Sequence, residues 1–452
     1  MINDLRFTIG KYSKLILALL IVNCSLLIAN SLKAQSAFSL QQAVDYAFKN
    51  SSTVKNAILD EKITDYKVKE FRGIGLPQIK GSAQVVDNFA KQTFVFPTQN
   101  GPQIIQVGSV FATQAGLSGS WLIADASYFL GLKAQQEVQK LMSYSTQRSK
   151  ITVAENVAKA YYNVLITAKQ LKAIEANVNR AEQNYNELKE INKQGLAEKI
   201  DVQRLEIFVN SLKNTQHKIQ EFSDLSKSLL KFQMGYDVNQ TIDLTDTLSD
   251  KEINNLVNLD MSGNATNRVE LQLLNKQLEL NKLNLKRYQL GCLPNLVAFA
   301  QYNTNHYGEK LDFYKNNAQY YNSGLWGLQM NVTFWDGMQN KSRKAYTKLE
   351  ILKNENDIAN TKNAFQFELS NSKISLKNAF LTLDDNKRNI ELANEIVRIS
   401  KIKYQEGVGS SIEVLNAETS LKDAQTNYFS ALYDAYVAKV NYEKATGTLI
   451  GH

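Results

Sequence analysis

The sequence predicts an α+β membrane protein: a trimeric β-barrel, four strands from each protomer and twelve in all, continuing into a long α-helical coiled-coil tunnel in the periplasm. Three observations carry that expectation. One unit is written twice along the chain, each copy holds helices with an unbroken heptad pattern, and each copy interrupts them with a pair of alternating strands.

The N-terminus carries Arg6, Lys11 and Lys14, an apolar run from Leu15 to Ala29 interrupted by Asn23, Cys24 and Ser25, and a small, polar stretch from Ser31 to Ser36. That is the layout of a secretory signal peptide, and the run is shorter than a spanning helix needs. Cleavage is expected near Ala34 and Ser36. Cys24 is a lipidation candidate, but Asn23 before it is bulky and polar where a lipobox takes Gly, Ala or Ser. The other cysteine, Cys292, leaves the exported chain without an internal disulfide, and packing must hold it together. No later stretch is apolar for eighteen residues without charge, so any crossing of a membrane falls to strands. The formal charge of +8 over 452 residues is too modest to suggest nucleic-acid binding.

The doubling is read from fixed offsets. Gln194-Gly195-Leu196 through Val202 matches Glu406-Gly407-Val408 through Val414 at 407 − 195 = 212, and Gly235 matches Gly447 at the same spacing. Leu76-Pro77 recurs as Leu293-Pro294, and Trp121 to Asp125 faces Val332 to Asp336. The chain therefore divides into a leader at 1–36, a first repeat at 37–236, a linker at 237–263 and a second repeat at 264–449.

Each repeat should hold one helix of about seventy residues, roughly Asp125 to Gln194 and Asp336 to Glu406, a rod of roughly 105 Å at 1.5 Å per residue. Shorter partners are expected at Leu40 to Arg72, Asp201 to Met234, Asn267 to Leu290 and Ile412 to Thr446. The stripe Ala417, Leu421, Ala424, Tyr428, Ala431, Ala435 steps by three and four, the signature of coiled-coil packing, and continues to Ala445. Only four prolines interrupt the chain, consistent with long helices.

Strands are expected at Ile79 to Phe89, Val107 to Trp121, Leu296 to Asn303 and Gly324 to Phe334. In the last, Trp326, Leu328, Met330, Val332 and Phe334 alternate with mostly polar neighbours, apolar out and polar in. Trp121 and Trp335 should sit where strands meet helices, at a lipid interface. The segments Lys91 to Gln106 and Asn305 to Ser323 read as external loops. Four strands cannot close a barrel, and open edges in lipid are prohibitively costly. Two copies would fill their interior with side chains, whereas three leave a lumen.

From about Phe38 to Leu449 the chain resembles the TolC-like outer-membrane efflux family. The resemblance rests on the Leu-Pro strand starts, the Phe334-Trp335-Asp336-Gly337 exit, and the pattern Tyr404, Gly407, Ile412 to Glu418, Leu421, Ala424, Gln425, Tyr428 and Ala445-Thr446-Gly447. It implies a homotrimeric outer-membrane channel serving a tripartite efflux or type I secretion system, docked to a periplasmic adaptor and an inner-membrane transporter of the RND or ABC type. It also implies an acidic ring at the periplasmic aperture, with Glu413 at its first position and neutral Asn416 at its second. A Tyr at the position of Tyr404 and an Arg where this chain has Gly409 would latch the closed state toward Asp201. Read without the family, Glu413 is a helix-start carboxylate facing solvent and Asp201 an N-cap.

His217, His306 and His452 are too few and scattered for a metal site or catalytic base, and no cofactor motif appears. The rival reading is an elongated periplasmic coiled-coil adaptor. It explains the signal peptide and heptads but not two strand pairs at equivalent places.

Overall fold

The computed structural model describes residues 37–99, 101–248 and 268–450. The leader with Cys24, most of the inter-repeat linker, Asn267 and His452 lie outside the described residues.

The helices fall where the heptads put them. In chain order they are α1 (Leu40–Asn50), α2 (Ser52–Gly73), α3 (Ala126–Lys193), α4 (Lys199–Met234), α5 (Val269–Leu290), α6 (Gln339–Gln405) and α7 (Ser411–Thr446). The long helices of the two repeats have 68 and 67 residues and their glycine-linked partners 36 each, so the duplication extends to helix length. The single helix expected from Leu40 to Arg72 is instead two. Ser39 opens α1 with a capping box, its Oγ accepting from Gln42 N and its own N–H donating to Gln42 Oε1. Ser51 then takes an extended ψ of 131° and ends the helix.

Four strands form one antiparallel sheet. They are β2 (Gln78–Asp87), β5 (Phe111–Ala124), β7 (Asn295–Gly308) and β8 (Tyr321–Asn331), in the order β2-β5-β7-β8. Each repeat contributes one pair, and the β5–β7 junction, running from Phe111 opposite Gly308 to Ala124 opposite Leu296, fuses them. The outer strands β2 and β8 each have one neighbour in the described sheet.

Three expectations about strands are corrected. The segment Lys91 to Gln106 is not a plain loop but a hairpin of β3 (Gln92–Thr98) and β4 (Gly101–Val107), with Pro97 opposite Pro102. A two-stranded ribbon tolerates prolines because each strand is an edge. Strand β8 stops at Asn331, so Val332 and Phe334 lie beyond it. Trp121 is inside β5, before a bulge between Leu122 and Ala124, and its indole N–H donates to Gly75 O at 3.0 Å. A further two-residue parallel pair, β1 (Ala37–Phe38) with β6 (Asp243–Leu244), was not legible in the sequence.

By packing, the chain divides into two compact units, each drawing on both repeats. Of the described residues, one gathers 37–55, 150–248 and 368–450, the other 56–99, 101–149 and 268–367. In the first unit, Ile174, Val178 and Ala181 of α3 pack on Val209 and Leu212 of α4, and Ala393 and Val397 of α6 on Ala417 and Leu421 of α7. Further along α4, Ser226 Oγ accepts from Asn163 of α3 at 2.9 Å. Helix α7 also buries a second face, Phe429, Leu432, Tyr436 and Val440, against Ala158, Tyr162, Leu376 and Phe380.

In the second unit, Leu271 of α5 packs with Ile358 and Phe365 of α6. Glu137 of α3 joins α5 through Lys276 at 2.9 Å and also meets Lys140 at 2.8 Å. The hydrogen bonds from Lys140 and then Lys276 pull the Glu137 carboxyl down from 4.5 to about 2. The depressed folded-state value makes this stabilisation complete above the ordinary carboxylate range, and it is lost as pH falls toward about 2. Glu137→Gln should flatten the acid limb of thermal stability. Identical acid limbs in the two proteins would show that the cluster contributes nothing.

Among the described residues no helix is long and apolar enough to cross a membrane.

Candidate functional site

The sequence motifs converge on the two helix-to-helix turns of the first unit. At each, the helix ends in a six-to-one bond closed by a glycine in the left-handed region. Leu196 N bonds Ile191 O and Val408 N bonds Lys403 O, with Gly195 at φ 76° and Gly407 at 75°. The lower ends of α4 and α7 repeat the device at Gly235 and Gly447, where Tyr236 N bonds Lys231 O and Thr448 N bonds Glu443 O. The 212-residue spacing is thus a spacing of caps.

A cleft of about 490 Å³ lies between these turns, lined by Asp201, Tyr404, Gly409 and Glu418 along with apolar residues such as Leu188 and Phe208. The fold therefore brings together the three residues expected to meet here, in a different arrangement. Asp201 is not an N-cap, because α4 begins two residues earlier, after Glu198. Its carboxylate pairs with Arg204 at 3.3 Å. Tyr404 is half-buried, and its hydroxyl is pushed up first by burial and then by the charge of Asp201. Gly409 packs on the end of α6: a Cβ there would lie 3.0 Å from Lys403 Cβ and 3.1 Å from Tyr404 N. An arginine would fit only if the turn moved.

Glu413 and Asn416 are exposed on the first turns of α7. Ser410 caps that helix, accepting from Glu413 N at 3.3 Å. The carboxylate of Glu413 so stands at the positive end of the helix.

Sequence reasoning missed the buried charge beside them. Glu418 is only 5% exposed, 3.1 Å from Arg180 Nε of α3, and burial pushes its carboxyl up against the opposing pull of Arg180 and Lys401. Arg180 donates to Asn177 and Asn177 to Gln425 Oε1, while Lys401 donates to Asn184. The second face of α7 is thus polar near the turn, at Glu418 and Gln425, and apolar from Phe429 onward. The seven-residue step from Glu418 to Gln425 was the available signal.

The strand-to-helix junctions belong to the second unit. Asp125 accepts from Ser127 N and Tyr128 N to start α3, and Asp336 accepts from Asn340 N at 2.7 Å to start α6. Gly337 and Met338, both at φ 65°, make the sharp bend before α6. Pro77 and Pro294 immediately precede β2 and β7, and Trp335 is 74% exposed beside the bend. Among the described residues no cluster of His, Cys, Asp and Glu is arranged to hold a metal.

Comparison with known proteins agrees with this architecture. Residues 289–448 match the family model described as outer membrane efflux protein. The outer membrane protein TolC of Salmonella enteritidis is 22% identical over 433 residues, covering 91% of this chain and 82% of its own. The solved structure of the outer membrane protein VceC from Vibrio cholerae superposes with a TM-score of 0.71 at 14% identity, covering 90% of this chain and 96% of its own. The CmeC outer membrane channel of Campylobacter jejuni gives 0.69 at 16% identity, covering 90% and 85%. The family match covers much of the second repeat, from residue 289 to 448, and the fold is similar to that of solved outer-membrane channels over nine-tenths of the chain.

Proposed function

We propose that this chain is the subunit of a passive exit duct, an outer-membrane channel of a tripartite efflux or type I secretion system with a large periplasmic portion, and not an enzyme. The observation that carries the reading is the four-stranded sheet. Its order leaves β2 and β8 as edges, and its surface exposes Trp326, Leu328 and Met330. Such a sheet is stable in lipid only when copies close it, and three copies give twelve strands around a lumen. Helices supply the matching need. Phe222, Leu225, Leu229 and Phe232 form an exposed apolar stripe on α4, and Leu392, Ile396 and Ile399 another on α6, which further copies of the chain would cover. A soluble coiled-coil adaptor would have no use for the sheet. In this reading the channel meets a periplasmic adaptor and an RND or ABC transporter of the inner membrane, which selects the cargo.

Three copies of Glu413 would ring the periplasmic aperture, with Asn416 adding no second charge. Like charges around a narrow opening attract cations where salt screens poorly. The protein in planar bilayers should therefore conduct with cation selectivity and be blocked by multivalent cations from the periplasmic side. Glu413→Gln should weaken both effects and Asn416→Asp strengthen them. A protein that forms no channels defeats the duct. A conducting Glu413→Gln variant with unchanged selectivity defeats only the aperture assignment.

A further inference from the structure

The connection from β7 to β8 is tied back to the sheet by one imidazole. His306, three positions from the start of that connection, is 6% exposed. Its Nδ1 lies 2.8 Å from Gln319 O and its Nε2 lies 3.0 Å from Asp312 Oδ1. A backbone carbonyl and a carboxylate only accept hydrogen bonds, and a neutral imidazole has one N–H. Both bonds exist together only while the His306–Asp312 pair holds an additional proton. Without it, a ring-nitrogen lone pair faces an oxygen lone pair at hydrogen-bond distance.

We propose that His306, Asp312 and Gln319 form a proton-dependent clip that fixes the 309–320 connection when protonated and frees it on deprotonation. If the sheet spans the outer membrane as proposed above, the clip sits at the external mouth, and acidity outside the cell holds the mouth's loop in place.

The surroundings contain few competing charges. On the opposing strand β5, His306 faces Thr113, which does not titrate. Within the connection the charged residues are Glu309, Lys310, Asp312 and Lys315, and Glu309 is paired to Lys91 at 2.8 Å. The hydrogen bond from His306 and, more weakly, the charge of Lys315 hold the Asp312 carboxyl below its ordinary range. Tyr320 packs its ring 5.6 Å from the imidazole, and Tyr307 and Tyr321 pair with each other at 6.1 Å. Asp312 is therefore the titratable group that bonds His306 directly. Gly308 makes the approach possible, since a Cβ there would lie 2.9 Å from Asp312 Oδ1 and 3.0 Å from Lys310 O.

The chain has three histidines, so its imidazole carbon–proton NMR spectrum is sparse enough to follow in the intact purified protein. His306→Gln identifies the signal. Amide hydrogen exchange of residues 309–320, corrected for intrinsic pH dependence, should accelerate about tenfold as pH rises through the His306 titration, the scale of one charge-assisted hydrogen bond. Asp312→Asn should shift the His306 midpoint downward and reduce loop protection at acid pH. Gly308→Ala, which removes no titrating group, should also reduce acid protection by displacing Asp312. A loop equally protected on both sides of the His306 titration overturns the clip, as does a neutral His306 beside an ionised Asp312 at the pH of full protection. Neither readout needs a membrane or a conducting pore, so failure here leaves the proposed duct standing, and a protein without conductance leaves the clip standing.

Discussion

Leu328→Arg is expected to abolish insertion of the protein into the outer membrane. Leu328 is 63% exposed in the middle of the edge strand β8, on the same face as Trp326 and Met330 by strand parity. An arginine on the lipid face of a barrel costs about 2–4 kcal/mol near the bilayer midplane. In the proposed three-copy closure that penalty would be tripled, to about 6–12 kcal/mol, comparable with the whole stability of many domains. Gln329→Arg, one residue along and on the opposite face, should be tolerated by a wet lumen. The comparison is read as heat-modifiable trimer in the outer-membrane fraction. Equal insertion of the two variants would mean that the Trp326 face does not meet lipid.

The second large effect belongs to the helices. Leu432 is fully buried on the additional face of α7, in the cluster with Ala158 and Tyr162 of α3 and Leu376 and Phe380 of α6. Beside it Tyr436 stacks on Tyr162 with ring centroids 4.2 Å apart. Leu432→Ala should cost about 2–5 kcal/mol, since a long-helix seam has little freedom to collapse around the void. Asp434→Ala, two residues away and exposed, should stay within about 0.5 kcal/mol of wild type. Guanidinium unfolding followed by helical circular dichroism separates the two. Equal midpoints would reduce α7 to a helix with one working face.

The contrast between these positions explains which parts of the fold could be read from sequence. Heptads and glycines located every long helix to within a few residues, because burial on a two-helix seam repeats every three or four positions and each turn needs a left-handed residue. The stripe from Ala417 to Ala445 is accordingly buried or half-buried throughout. The additional seam through Leu432 escaped because it demands a third helix, and a single sequence does not say which helix comes third. Glu418 escaped for the same reason: its counter-charge, Arg180, is supplied from another repeat. The β3–β4 hairpin was hidden by its composition. Phe94 and Ile105 lie on one face and Val95 and Ile104 on the other, so no alternation marks it, and its two prolines argue for a loop. His306 looked like an isolated histidine because its partners lie six and thirteen residues away in a segment without periodicity.

That hairpin bears on the symmetry of any closed assembly. Two similar repeats per chain would make the proposed three-copy ring nearly sixfold. The ribbon at Gln92–Val107 occurs in the first repeat, while the second carries the imidazole-bound connection at the corresponding place. Around the rim the two would alternate, ribbon and clip, three of each. Under the proposed closure the paired long helices would repeat with nearly sixfold symmetry, whereas the rim would be strictly threefold, built from two kinds of flap of which only the proposed clip would respond to protons.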